Sequence, residues 1–196
     1  MNTVLGPRNI PRRSVVIFDK PKDVKGTVFL THAHKTGNDD QWLYLPALQR
    51  VKRIFSSNRS GPFMGSEFAY EDISSEEVER YGYNYLREDL CGDGQDCHIF
   101  ERYPLDENSG YTKHIVYADK KFYRIHKIEY FDRKGARLKT LTRSNYVQIG
   151  SFWRATHWEM VNHLKKKSTL VVWDDRKFGT GLRERDFIKN AITRYK

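Results

Sequence analysis

Strand-length apolar segments, each closed by a turn-forming sequence, recur along this chain and constrain its fold more than any other feature. Ser14–Phe18 ends at Asp19-Lys20-Pro21, and Thr27–His32 follows Gly26 and stops before Thr36-Gly37-Asn38-Asp39. Gln41–Leu45 is stopped by Pro46, and Arg50–Phe55 runs into Ser56-Ser57-Asn58-Arg59-Ser60-Gly61-Pro62, which reads as a mobile loop. Further on, Tyr111–Tyr117, Phe122–Phe131 and Arg137–Tyr146 are separated by turns at Asp119-Lys120 and Asp132-Arg133-Lys134-Gly135, the second being the strongest hairpin signal. Phe152–His163 and Ser168–Trp173 flank Lys165-Lys166-Lys167. Helical signals are few. Ser74-Ser75-Glu76-Glu77 offers a hydroxyl cap and first-turn acids before Tyr81-Gly82-Tyr83 restores strand character, and Arg183–Ile192 has helical spacing at Phe187, Ile188 and Ala191. The pattern predicts a mainly β (α+β) fold built on antiparallel sheet.

A sheet with one face in water alternates apolar and polar residues, yet several of these strands are apolar on both faces. Trp42 and Tyr44 alternate with Leu43 and Leu45, and the doubling recurs at Val15–Phe18, Ile115-Val116-Tyr117 and Leu170-Val171-Val172-Trp173. With so few helices to cover the second face, the sheet is expected to curve strongly into an incomplete β-barrel enclosing apolar volume. A fully packed barrel core is the plain alternative. Aromatic residues make up 14% of the 196 residues, which suits both strands and a ligand-facing wall. That length fits one domain.

The formal charge is +10, but it is unevenly placed: residues 67–107 hold 13 acidic and 3 basic side chains, leaving +20 on the remainder. Basic clusters at Arg50-Val51-Lys52-Arg53, Lys120-Lys121, Arg133-Lys134 and Lys165-Lys166-Lys167 mostly adjoin turns, where solvated charge is ordinary. Anionic lipid, an acidic partner or nucleic acid are the other readings of such charge. No apolar run approaches the ~20 residues of a membrane span, and Met1–Arg13 has no apolar core segment of an export signal.

Cys91 and Cys97 flank Gly92-Asp93-Gly94-Gln95-Asp96, a spacing that permits a disulfide or two free thiols. Only His98 lies nearby, so a zinc site is not supported. His32 and His34 with Asp39 or Asp40 make at most a weak metal pattern, and Glu71-Asp72 and Glu76-Glu77 a weak acid–base one. The chain has no Gly-x-Ser-x-Gly elbow, no phosphate loop, no dinucleotide fingerprint and no His-Glu-x-x-His pair. The residues alone therefore give no convincing catalytic residue and no metal site, and the family resemblance that follows implies no enzyme activity and no cofactor.

Three stretches carry a family resemblance: Asp40-Gln41-Trp42-Leu43-Tyr44-Leu45-Pro46-Ala47-Leu48, Arg50-Val51-Lys52-Arg53-Ile54 and Ser60-Gly61-Pro62-Phe63-Met64-Gly65-Ser66-Glu67-Phe68-Ala69-Tyr70-Glu71-Asp72. They resemble the bacterial outer-membrane lipoprotein-sorting family, the LolA-like proteins. The match continues through Ser109-Gly110-Tyr111-Thr112-Lys113, Tyr130-Phe131-Asp132-Arg133-Lys134-Gly135, Leu138-Lys139-Thr140-Leu141-Thr142 and Phe178-Gly179-Thr180-Gly181-Leu182. One LolA-like domain is thus expected over residues 14–196, after a non-matching, disordered or atypical stretch at 1–13, with the family's leading segment missing.

The resemblance implies an incomplete antiparallel barrel with helices plugging its concave side. It also implies a non-catalytic periplasmic carrier that takes acyl chains of lipoproteins or lipids between an inner-membrane exporter and an outer-membrane acceptor. On this reading Phe29, Leu43, Leu45, Ile115, Tyr117, Trp153, Trp158 and Trp173 are candidates for the cavity wall. Phe63, Met64, Phe68 and Tyr70 form a gate, or merely cap the core. A nucleic-acid-binding β domain is the rival function. The acidic block at 67–107 argues against it, and no nucleic-acid partner is expected.

Overall fold

Turns fall where glycine, proline and asparagine placed them, and the segments between them pair in sequence order. The computed structural model describes residues 2–5, 12–74, 76–91 and 94–195. Within these residues the strands are β1 (Asn2–Leu5), β2 (Arg13–Ile17), β3 (Val28–His32), β4 (Asp40–Leu45), β5 (Arg50–Ile54), β6 (Tyr81–Leu90), β7 (Asp96–Pro104), β8 (Tyr111–Asp119), β9 (Ile125–Asp132), β10 (Arg137–Ile149), β11 (Phe152–Asn162) and β12 (Lys167–Val172). Ser75, Gly92, Asp93 and, from the first thirteen residues, Met1 and 6–11 lie outside the described residues. The helices among the described residues are short 3₁₀ turns, including Val78–Arg80 and Glu184–Phe187 where longer helical signals stood in the sequence.

Two compact units result. One comprises Met1–Arg59, Ser74–Arg80 and Lys177–Lys196 and contains a five-stranded meander, β1-β2-β3-β4-β5. Registry places Val15, Leu30 and Trp42 side by side on one face and Val16, Phe29 and Leu43 on the other. The first face is covered by Phe187 and Ile192 of the carboxyl-terminal segment, which join Val15, Val28 and Leu30 in one cluster. The second is buried as well, with Phe29 fully inaccessible. This is why the strand pattern reads apolar on both faces. The segment from Ser74 to Arg80 is pinned by polar contacts: Arg80 donates to the buried Asp39 carboxylate, and Arg59 donates to Ser74 Oγ at 3.1 Å.

The other unit, Ser60–Ile73 with Tyr81–Arg176, contains a seven-stranded sheet in the order β12-β11-β10-β9-β8-β7-β6. Every neighbouring pair is antiparallel. Directly opposed residues share a face, so one row crosses the whole sheet as Tyr85, Phe100, Val116, Ile128, Leu141, Met160 and Thr169. Four consecutive members, Val116, Ile128, Leu141 and Met160, are at most 1% exposed. A disulfide joins Cys91 to Cys97 across the β6–β7 connection, with Cα atoms 5.7 Å apart. The fold is mainly β and antiparallel, and its sheets are open rather than closed, as an incomplete barrel requires.

No α-helix plugs the sheet among the described residues of this unit; the segment Ser60–Ile73 lies on its apolar face instead. Phe63 N donates to Phe68 O at 2.7 Å, closing a small hairpin, and three acids tie that hairpin down. Asp72 accepts from Lys139 Nζ at 2.5 Å, Tyr111 OH at 2.9 Å and Ala69 N at 2.6 Å. Glu71 accepts from Ser109 Oγ at 2.8 Å and Gly110 N at 2.9 Å, while Glu67 accepts from Asn162 Nδ2 at 2.7 Å. Burial, reinforced by the charges of Asp72 and Glu71, raises the Tyr111 hydroxyl pKa well above the usual tyrosine range. Gly110 has no room for a side chain, since an added Cβ would stand 2.8 Å from Ser60 Cβ and 3.0 Å from Glu71 Oε1. Gly110→Ala is therefore expected to destabilise the protein by about 1–3 kcal/mol; unchanged unfolding in urea would show that the hairpin yields freely.

Candidate apolar binding site

At one end of the seven-stranded sheet, β10 and β11 run past the β8–β9 connection and leave an open cleft of about 600 Å³. Aromatic residues of the β8–β9 connection and of β10 and β11 cluster here. Tyr123 carries the connection through the left-handed region at φ 53°, as does Asn145 in β10, where Thr156 Oγ1 donates to Asn145 O at 2.9 Å. Phe122 lies 5.1 Å from Trp153, ring centre to ring centre, and Trp158 meets Trp173 edge-to-face at 5.5 Å. Phe122, Tyr146, Phe152, Trp153 and Trp158 line the cleft together with Arg124, Arg143, Arg154 and Arg176.

The arginines use the aromatic faces. Arg124 lies 4.7 Å from the Trp153 ring centre and 4.9 Å from those of Phe122 and Tyr146, and Arg143 lies 4.4 Å from that of Trp158. Such stacking holds a flat guanidinium in place against the ring. Arg124 is also bound to Asp119 at 2.7 Å. Asp119 additionally accepts from Phe122 N at 2.6 Å and makes a 3.0 Å contact with His126 Nε2. Burial alone would raise the Asp119 pKa, but Arg124, the Phe122 amide and His126 outweigh it and hold the carboxyl at about 2. Because this lies below the value for an unfolded chain, the contribution to stability is fully present above pH ~4 and disappears as the pH falls through about 2. In Asp119→Asn that acid-limb loss should shrink, as read by denaturant melts between pH 2 and 6.

Trp153 and Trp158 line this cleft, and Trp173 reaches it only through its edge-to-face contact with Trp158. Ile115 and Tyr117 are on the opposite face of the sheet from Val116 and Trp158, where Lys127 stacks over Tyr117. Phe29, Leu43 and Leu45 belong to the five-stranded unit. Phe63 and Phe68 are buried at 4% and 1% exposure, Met64 takes the turn position of their hairpin at φ 49°, and Tyr70 packs edge-to-face on Phe63. His32 Nε2 contacts Phe187 O at 2.5 Å whereas His34 Nε2 contacts Asp40 at 3.1 Å, so the two imidazoles serve different partners. Burial, the largest influence, lowers the His32 pKa. The four arginines of the cleft went unnoticed in the sequence, where attention falls on runs of adjacent charge. For two of them a signal exists, the arginine beside an aromatic residue in Phe122-Tyr123-Arg124 and Phe152-Trp153-Arg154.

A family model described as "Uncharacterized protein" matches residues 11–194. An outer membrane lipoprotein-sorting protein domain, so assigned, from Vibrio parahaemolyticus superposes with a TM-score of 0.93 at 51% identity, covering 97% of this chain and 83% of that one. A DUF1329 family protein from Desulfovibrio piger gives 0.88 at 30% identity, with 92% and 77% covered. The fold alone is shared with a LolA superfamily protein from Nitrosomonas europaea, at a TM-score of 0.69 and 21% identity over 92% of this chain and 78% of that one. No curated protein matches significantly. The chain belongs to the family of the Vibrio outer membrane lipoprotein-sorting domain and the DUF1329 protein, and its fold is LolA-like.

Proposed function

We propose that this protein is a non-catalytic carrier in the periplasm that shelters acyl chains of lipoproteins or lipids and passes them between membrane-associated partners. The observation that supports it most directly is the aromatic-lined cleft, whose volume of about 600 Å³ lies in the range of small-ligand sites. Family membership adds the class of cargo, because the similar Vibrio domain is assigned to lipoprotein sorting. The energetics suit a carrier. Each buried methylene contributes ~0.8 kcal/mol, and ordering and association costs offset much of the total, leaving a grip that can be released to a second protein. No helix among the described residues is long and apolar enough to cross a membrane.

The test is native mass spectrometry of the purified protein with lipid extraction, paired with titration of a fluorescent acyl probe. A co-purified acyl species, or saturable probe binding weakened by Trp153→Ala, is the expected result. Absence of both would exclude the carrier reading.

A further inference from the structure

Two strands end the seven-stranded sheet, and they differ in how they are defended against further pairing. β6 carries Arg87, Glu88 and Asp89 and breaks register between Tyr85 and Arg87, and such charges and bulges keep an exposed edge from recruiting another strand. β12 has neither along most of its length. Its pairing with β11 runs without a break from Lys167 to Val172, and Ser168-Thr169-Leu170-Val171-Val172-Trp173 contains no charge, proline or glycine. Among the described residues no strand pairs with its outer side, and Leu170 and Val172 are 56% and 54% exposed.

Register fixes what that outer side offers. Trp173 N donates to Thr156 O at 2.7 Å, so by alternation Trp173, Val171, Thr169 and Lys167 turn their backbone groups toward β11. Ser168, Leu170 and Val172 therefore turn theirs outward. The two ends of the strand carry opposite charge, with Lys166 and Lys167 exposed at its start and Asp174 exposed just past its end.

We propose that β12 pairs antiparallel with β12 of a second copy about a twofold axis at Leu170, joining two seven-stranded sheets edge to edge. In this register Leu170 stands opposite its counterpart and Ser168 opposite Val172, so the outward N–H and C=O groups of all three residues find partners. A shift of two residues either way places one of the three beyond the end of the partner strand. The same register sets Lys166 of each copy opposite Asp174 of the other, whereas a parallel arrangement would set lysine beside lysine. Leu170 and Val172 share a face and lose their exposure against the same residues of the second copy. A twofold contact of this kind is self-complementary and closes at two copies. A strand of six residues makes a small interface, so a dissociation constant in the micromolar range is expected. The pairing does not depend on whether the cleft takes a ligand.

Sedimentation velocity on this chain, from low to high micromolar concentration, is the test. The mass should rise from one copy toward two and stop there. Leu170→Lys, which puts two ammonium groups at the axis, should weaken association at least tenfold, and a thermal melt unchanged at low concentration shows that the variant is folded. Lys166→Glu and Asp174→Lys should each weaken association alone. A mixture of those two variants should associate more tightly than either by itself, because both ends of the mixed pair then join opposite charges. Should Leu170→Lys fail to fold, the charge variants carry the test. A wild type that stays a single copy throughout, growth beyond two copies, association indifferent to Leu170→Lys in its folded form, or no preference for the mixed pair overturns the pairing.

Discussion

Asp72→Ala is expected to lower the unfolding free energy by about 3–5 kcal/mol, because it strands the ammonium of Lys139 in a place where water does not reach. The two side chains are only 1% and 4% exposed, and the same carboxylate also receives Tyr111 OH and Ala69 N. For a chain of this length the loss corresponds to a fall of roughly 10 °C or more in Tm. It should also release the Ser60–Ile73 hairpin, so limited proteolysis would cut between those residues in the variant before it cuts the sheet. Removing both charges together, as Asp72→Leu/Lys139→Met, should recover much of the stability, since a buried pair replaced by apolar groups is often neutral. A single-variant loss below about 1 kcal/mol would mean that the pair is solvated and the hairpin is held by something else.

Phe68→Ala should cost about 3–5 kcal/mol, the range for deleting a fully buried aromatic side chain. The resemblance to lipid carriers made Phe63, Met64, Phe68 and Tyr70 candidates for a gate, with a core cap as the plainer reading. The experiment separates the two. A swinging gate would lose acyl-probe affinity with little change in Tm, whereas a cap would lose both together. The geometry that governs the outcome is the closed hairpin from Phe63 to Phe68 and the 1% exposure of Phe68.

Both cases bear on how much could be read from residues alone. The strand segments were legible because period-two apolarity and turn chemistry are local properties. Arg137–Tyr146 and Phe152–His163 pair across the turn at Gly150, as β10 and β11 do here. β6 was hard to read because it is a sheet edge: from Asn84 to Leu90 its residues are exposed on both faces, so no alternation marks it. The helical signal at Arg183–Ile192 failed for another reason. Phe187 and Ile192 pack against the five-stranded sheet, and Ile188 between them takes an extended conformation, so tertiary contact overrides the local period.

The acids of the central motif illustrate the same limit. Glu71 and Asp72 are adjacent, which suggests a catalytic pair or a solvated loop, and neither reading foresees that they reach Gly110 and Lys139. Their partners lie 39 and 67 positions away along the chain. Nothing local encodes such a meeting.

From its residues alone the chain determined its fold class, most of its strands and the family it resembles, since alternation, turns and a long motif are written position by position, while β1 and β7 went unread. Only the tertiary structure decided which faces were covered, that Cys91 and Cys97 are bridged, and that four arginines separated in sequence share one aromatic cleft with Trp153 and Trp158. The physical reason is that burial and charge depend on what the neighbouring strands bring alongside, and that is a property of registry between distant segments.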